Sequence, residues 1–298
     1  MRITAACIIF AICSAQATEA VELANAGKGG LHARSFEQVL RYSNDDIDIG
    51  TAALLLSQRP DNQFNMRRYR GMIDEMAMTI LQRLKARQHG PDHRAIEVVN
   101  QYLFEELRFI AVDTADDAEH LYLDSVMRNR KGYCLSLSIL YLAIGERVGM
   151  PLYGVVVPGH FFVRYDDGIR QFNIETTSKG NIASDEYYRT TFKVPSHGYD
   201  SIYMRNLTNR ETLSCLLNNL SNIRHAAGDL DGAIADLETA LQLSPGLSTA
   251  HSNLGNLYAR KGWVDKAIRQ YNLAIHFNPN ESKAYHNRAG AYMMADRR

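Results

Sequence analysis

Cysteine is scarce in this chain: 4 among 298 residues, at Cys7, Cys13, Cys134 and Cys215. No CxxC or CxxH spacing occurs, so neither a disulfide framework nor a zinc site follows from them. Charge of one sign is missing too. The 33 basic and 33 acidic side chains cancel, and no basic block or tail stands out, so nothing points to nucleic acid or an anionic membrane. No apolar run is long enough for a membrane span. His89 and His93 are four apart, but Gly90 and Pro91 between them prevent a shared helical face for a metal. No cofactor and no metal is expected.

What is present is the composition of a globular protein, 46% hydrophobic and 22% charged, with length for one large domain or two modest ones. Arg2, an apolar stretch from Ile3 to Cys13 and then Ala15-Gln16-Ala17 have the order of a secretory signal peptide. Cleavage after Ala17 predicts an extracytoplasmic protein, periplasmic or secreted, without a membrane span. Only Cys134 and Cys215 would remain, and their pairing would silence Cys134 as a nucleophile.

Residues 18–34 read as a linker. Ser35 and Gln38 suggest a capping box for a helix through Leu40. Ala52 to Leu56 and Phe64 to Leu84 read as helices, the second with Tyr69, Met72, Ile73, Met76, Ile80 and Leu84 as one apolar stripe. Further helices are predicted with Ile96, Val99, Leu103 and Leu107 on one face, and over 118–127. The next runs from Cys134 through Val148 and is stopped by Gly149. Leu152 to Val157, His160 to Tyr165 and Ile169 to Thr176 alternate as strands, the last two a hairpin around Asp166-Asp167-Gly168. Many helices followed by a small antiparallel sheet make residues 35–205 an α+β domain.

Residues 206–298 repeat. Leu220 and Leu254, Ala233 and Ala267, Leu237 and Tyr271, Ala240 and Ala274, and Pro245 and Pro279 are all 34 apart. That period predicts two full tetratricopeptide repeats and a terminal capping helix, an all-α solenoid. Asn218, Asn219, Asn222, Asn253, Asn256 and Asn287 crowd the first helices of the pairs. Their amides suit the grip of a protein partner's extended backbone.

Three residues stand at element boundaries suited to chemistry. Cys134 follows Gly132-Tyr133 at a helix start, where partial positive charge and unpaired N–H groups stabilise a thiolate and its oxyanion. His160 opens a strand and would carry the thiol proton. Asn173 and Glu175, two apart on the next strand, share a face; either would hold the second imidazole nitrogen, and the carboxylate would also stabilise an imidazolium. A cysteine acyl-transfer site is predicted.

Arg130 to Cys134, Pro158-Gly159-His160-Phe161 and Asn173-Ile174-Glu175-Thr176 resemble the transglutaminase-like superfamily. The resemblance implies a papain-like core over roughly 35–195 and a Cys–His–Asp order, in which Glu175 replaces Asp. Tyr102 to Glu106, Leu135 to Tyr141, Arg147-Val148-Gly149 and Pro158 to Phe162 are similar to its SirB-type branch. Many members of that branch lack the cysteine; this chain keeps it. The expectation is a cysteine enzyme acting on a protein or peptide amide, by hydrolysis or amine transfer. Its alternative is a non-catalytic scaffold that works through the repeats.

Overall fold

The computed structural model of the protein describes residues 21–60, 62–114, 117–195 and 202–296. The expected signal peptide, with Cys7 and Cys13, lies outside the described residues.

The helical layer begins with α1 (Phe36–Val39), α2 (Ile49–Ser57), α3 (Met66–Ala86) and α4 (Ala95–Asn100), the last continued by a π-helical turn, Gln101–Glu106. Strand β1 (Ile110–Ala111), α5 (Leu123–Asn129), β2 (Lys131–Gly132) and the long α6 (Cys134–Val148) follow. Four strands then form an antiparallel sheet in chain order: β3 (Leu152–Val157), β4 (His160–Asp166), β5 (Gln171–Glu175) and β6 (Asn181–Ala183). Helix α7 (Asp185–Thr191) closes this part. The repeat helices are α8 (Asn209–Ala226), α9 (Leu230–Leu243), α10 (Ser248–Arg260), α11 (Val264–Phe277) and α12 (Ser282–Ala295).

Helix α6 is the axis of the first part. Leu135, Leu137, Ile139, Leu140, Tyr141, Ala143 and Ile144 are all buried, which is why its sequence is apolar all round. On one side it meets Ala52 to Leu55 of α2 and the stripe Ile73, Met76, Ile80 and Leu84 of α3; on the other, Phe161, Val163, Tyr165 and Ile174 of the sheet. Alternation puts Phe162 on the opposite sheet face, in a second core with Val155, Val157 and Tyr188.

Several expectations are corrected. Residues 21–34 are no free linker: Ala24 N–H donates to Arg147 O at 2.9 Å, and buried Asn25 donates to Asp48 Oδ2 at 2.6 Å. The Ser35 capping box does not form, because Gln38 Oε1 takes the Arg34 N–H instead. The helix expected over 118–127 breaks into a 3₁₀ turn, Ala118–His120, and α5. The third strand begins at Gln171 rather than Ile169, since Asp167 Oδ1 accepts from both Ile169 N and Arg170 N and holds the turn open. The short pair β1–β2, strand β6 and helix α7 were not foreseen; strands of two or three residues carry no readable period.

The boundary expected at 205/206 falls inside a common core. Leu213, Leu216, Leu217 and Leu220 of α8, with Ala240 and Leu243 of α9, pack in the same cluster as α6. The later helices build a separate core around Ala233, Leu237, Leu254, Tyr258, Ala267 and Tyr271. The small residues 34 apart sit where paired helices approach: Ala233, Ala240, Ala267 and Ala274 are fully buried.

Arg147 is the charged centre of the helical layer. It is fully buried, 2.9 Å from buried Asp48 and 2.5 Å from Asp74. Arg147→Met would leave Asp48 without its cation, and such broken pairs cost about 3–5 kcal/mol. The expected result is a correspondingly lower urea midpoint with an unchanged slope.

Candidate active site

The chain enters α6 through a tight approach. At Gly132 a Cβ would lie 2.9 Å from Leu137 Cγ and 3.0 Å from Ser136 Oγ, so a side chain there would push the helix start away. Ser136 Oγ accepts from Tyr133 N–H at 3.0 Å and bonds His120 O at 2.5 Å, tying the first turn to the preceding segment. Cys134 is the first helical residue and is 4% exposed. At that position its N–H has no carbonyl to meet within the helix and is available to an oxyanion.

His160 is placed by a two-residue turn. Val157 pairs with His160 across Pro158-Gly159, and Gly159 takes φ +74°, which an L side chain adopts only with strain. Strand β5 pairs with β4 so that Glu175, 5% exposed, reaches the imidazole: His160 Nε2 and Glu175 Oε2 are 2.7 Å apart. Cys134 lines the same cavity as that imidazole, whose Nδ1 is the ring nitrogen that Glu175 does not engage. The structure therefore brings Cys134, His160 and Glu175 together.

Asn173 is not part of this cluster, and its candidacy as the orienting residue is corrected. Its Oδ1 accepts from Arg164 Nε at 2.7 Å and its Nδ2 donates to Asp185 Oδ1 at 2.6 Å. It shares a strand face with Glu175, but a two-residue step moves it along the strand toward Arg164, its cross-strand neighbour.

Three further residues hold the site, and sequence reasoning missed them. Thr177 donates to Glu175 Oε1 through its backbone N–H at 2.9 Å and through its hydroxyl. Tyr188 Oη donates to Glu175 Oε2 at 3.0 Å. The Phe192 ring lies on the imidazole, centroids 4.5 Å apart and planes within 6°. The available signal was the i, i+4 pair Tyr188 and Phe192 behind the cap Ser184, which accepts from Tyr187 N.

These contacts set the charges. Burial opposes an imidazolium, but the neighbouring Cys134 side chain and the hydrogen bond and charge of Glu175 raise the His160 pKa to about 9. Burial likewise opposes the carboxylate, but His160 and Thr177 hold the Glu175 pKa below its ordinary value. A histidine raised from 6.5 to about 9 contributes stability that is fully present below its unfolded value. That contribution is lost as pH rises through about 9. A shift of this size corresponds to about 3 kcal/mol. Urea midpoints should therefore fall between pH 6 and pH 10 in the native chain, and His160→Gln should remove that part of the slope.

The thiol and imidazole open into a cavity of about 260 Å³. Its walls include Val156, Tyr203 and, from the repeat side, Cys215, Asn218, Asn219, Leu247 and Thr249. Cys134 and Cys215 are both free thiols in this structure. His89 and His93 lie together on a different cavity, and no group of metal-binding side chains occurs among the described residues. No helix among the described residues is long and apolar enough to cross a membrane.

Comparison with known proteins agrees with this layout. A sequence profile of the transglutaminase-like superfamily matches residues 67–218, just over half of the chain, and names no branch within it. Tetratricopeptide-repeat profiles match residues 222–262 and 248–281. A UPF0162 protein of Xylella fastidiosa is 42% identical over 74 residues, 24% of this chain and 26% of that protein. Human F-box only protein 21 is 34% identical over 77 residues, 25% of this chain and 12% of that protein. The chain thus spans about a quarter or less of the length of either relative. The crystal structure of menin aligns over 85% of this chain and 72% of its own, with 13% identity and a TM-score of 0.44. With its Cys–His–Glu cluster inside the matched segment and its repeats beyond it, the chain belongs to the transglutaminase-like superfamily.

Proposed function

We propose that the protein is an exported cysteine acyl-transfer enzyme that attacks an amide carbonyl of a protein or peptide. The observation that carries this reading is the 2.7 Å contact of His160 with Glu175 on an imidazole that shares a cavity with the Cys134 thiol. Sγ would form a bond to the carbonyl carbon, and its proton would pass to His160. The oxyanion would meet the Cys134 N–H. Collapse breaks the C–N bond, the imidazolium gives its proton to the departing amine or ammonia, and a thioester remains. Water would then give hydrolysis and an amine would give a new amide: His160 takes the incoming proton, the C–S bond breaks, and Sγ takes that proton back. Glu175 steadies the imidazolium in both halves. The arginine and apolar run before Ala15-Gln16-Ala17 support export; N-terminal sequencing from the native host should find a chain starting at Thr18.

Glu175→Gln tests the charge. It keeps the shape but loses the anion, and turnover should drop by about 10²–10⁴ while the fold persists. Asn173→Ala should leave turnover nearly unchanged and lower stability instead, because Arg164 and Asp185 lose a partner. A larger loss of turnover in Asn173→Ala than in Glu175→Gln would transfer the orienting role to Asn173.

A second reading, a protein-binding scaffold, is favoured by the repeats and by the burial of Cys134. Iodoacetamide separates the two. A thiol paired with an imidazolium is alkylated rapidly well below the pH at which an ordinary thiol slows. A scaffold's buried thiol reacts slowly, and slowest in acid.

A further inference from the structure

Cys134, Ser138 and Tyr141 stand at i, i+4 and i+7 of α6, so they share one face of that helix. Cys134 opens onto the cavity that it lines with His160. Ser138 Oγ and Thr176 Oγ1 are 3.0 Å apart, and both residues are buried. Tyr141 Oη donates to Asn100 Oδ1 at 3.0 Å, and Asn100 Nδ2 donates to Gly180 O at 2.7 Å. Thr176 follows Glu175 directly and opens the 3₁₀ turn Thr176–Ser178. Gly180 N–H donates back to Glu175 O at 2.9 Å. Two polar links therefore run from the helix of the thiol to the two ends of the loop that starts at Glu175. A Cβ at Gly180 would lie 2.0 Å from Asn100 Oδ1, so the second link needs glycine there.

We infer that Ser138, Thr176 and Asn100 are positioning residues: they lock the helix that carries Cys134 in register with the strand and loop that carry Glu175. The inference rests on the acyl-transfer reading and adds the residues that set the spacing between nucleophile and acid. Thr177 and Tyr188 hold the Glu175 carboxylate, and Glu175 holds His160, but all four belong to the sheet and α7. Cys134 belongs to α6. Phe161, Val163, Tyr165 and Ile174 join the two sides by apolar packing. Apolar burial is non-directional, so it resists separation more than sliding. Hydrogen bonds are directional and fix a register. That register matters, because a misplacement of about 1 Å can cost about 10²-fold in rate. Ser138 has a local alternative, the Cys134 carbonyl one turn earlier, yet its hydroxyl meets Thr176.

The test measures alkylation of Cys134 by iodoacetamide in the full chain at about pH 5.5 and about pH 9, with the modified residue mapped by mass. The ratio of the two rates reports the thiolate that the imidazole keeps in acid, and each protein is its own reference. The titratable side chains around the pair include Glu175 on β5, Tyr188 on α7, Cys215 on α8, Tyr133 and Tyr203; no variant changes them. Ser138→Ala combined with Thr176→Val removes both hydroxyls and leaves neither without its partner, a change that can be nearly neutral for stability. The expected result is a urea midpoint close to native with an acid rate, relative to the alkaline one, at least tenfold lower. Thr176→Ser keeps the link and should keep the native ratio. Tyr141→Phe cuts the second link at one end and should lower the ratio severalfold. A native ratio in the double variant, or in Tyr141→Phe should the double variant not fold, would overturn the inference and leave these groups as core filling. A ratio lost in Thr176→Ser would assign the effect to the threonine methyl and overturn it as well. Slow acid alkylation of the native chain would instead count against the thiolate–imidazolium pair itself.

Discussion

Cys134→Ala is expected to abolish thioester formation altogether, and His160→Ala to slow it by about 10²–10⁴ or more. The double substitution should cost little more than Cys134→Ala alone, because a nucleophile and its base act as one unit. The reason is in the geometry. The thiol and the imidazole line one cavity, and Nε2 of that imidazole is held by Glu175 at 2.7 Å. Glu175 in turn is held by Thr177 and Tyr188 and cannot swing away. Trapping an acyl-enzyme from a glutamine-containing peptide, with mass analysis of the modified residue, measures the step directly. If Cys134→Ser retains the native activity in full, the thiol is not the nucleophile and the scaffold reading stands.

Removing residues 213–298 is expected to unfold the first domain rather than free it. The cut takes Leu213, Leu216, Leu217 and Leu220 out of the core that contains α6. At roughly 1.5–3 kcal/mol for each buried leucine, their loss is comparable with the whole stability of a typical domain. It also strips Cys215, Asn218 and Asn219 from the cavity that Cys134 and His160 line. Circular dichroism of the truncated chain should show no cooperative melt near that of the full protein. A cut after Leu243 keeps α8 and α9 with the core and should preserve a cooperative melt and Cys134 reactivity, while removing α10 to α12. A folded product from the chain lacking residues 213–298, with Cys134 reactivity intact, would mean that α8 is dispensable to the domain.

Much of this layout is legible from residues alone. The 34-residue period needs no tertiary knowledge, because each repeat must offer its neighbour the same small and large residues, and Ala233, Ala267, Ala240 and Ala274 are buried accordingly. The bounds of α6 follow from an apolar run ended by Gly149, whose φ of +86° stops the helix. Strand β3 and the start of β4 follow from alternation around Pro158-Gly159. The order Cys134, His160, Glu175 marked out three residues that the fold gathers at one place, because each stands where an element begins or ends.

What chain order and periodicity do not contain is which surfaces meet. Asn173 and Glu175 look equivalent along β5, since both point to one face. Only the cross-strand register puts Arg164 beside the first, and only the packed β4 start puts His160 beside the second. Tyr188 and Phe192 lie on a segment without a readable period and reach the site because α7 folds back over the sheet. Residues 21–34 look like a linker by composition, yet their few polar groups close the ring around Arg147 and Asp48. The asparagines were visible as a repeat feature. That α8 is at once a repeat helix and a wall of the Cys134–His160 cavity was decided by the tertiary structure, because burying its leucines against α6 brings Asn218 and Asn219 to the cavity that Cys134 lines.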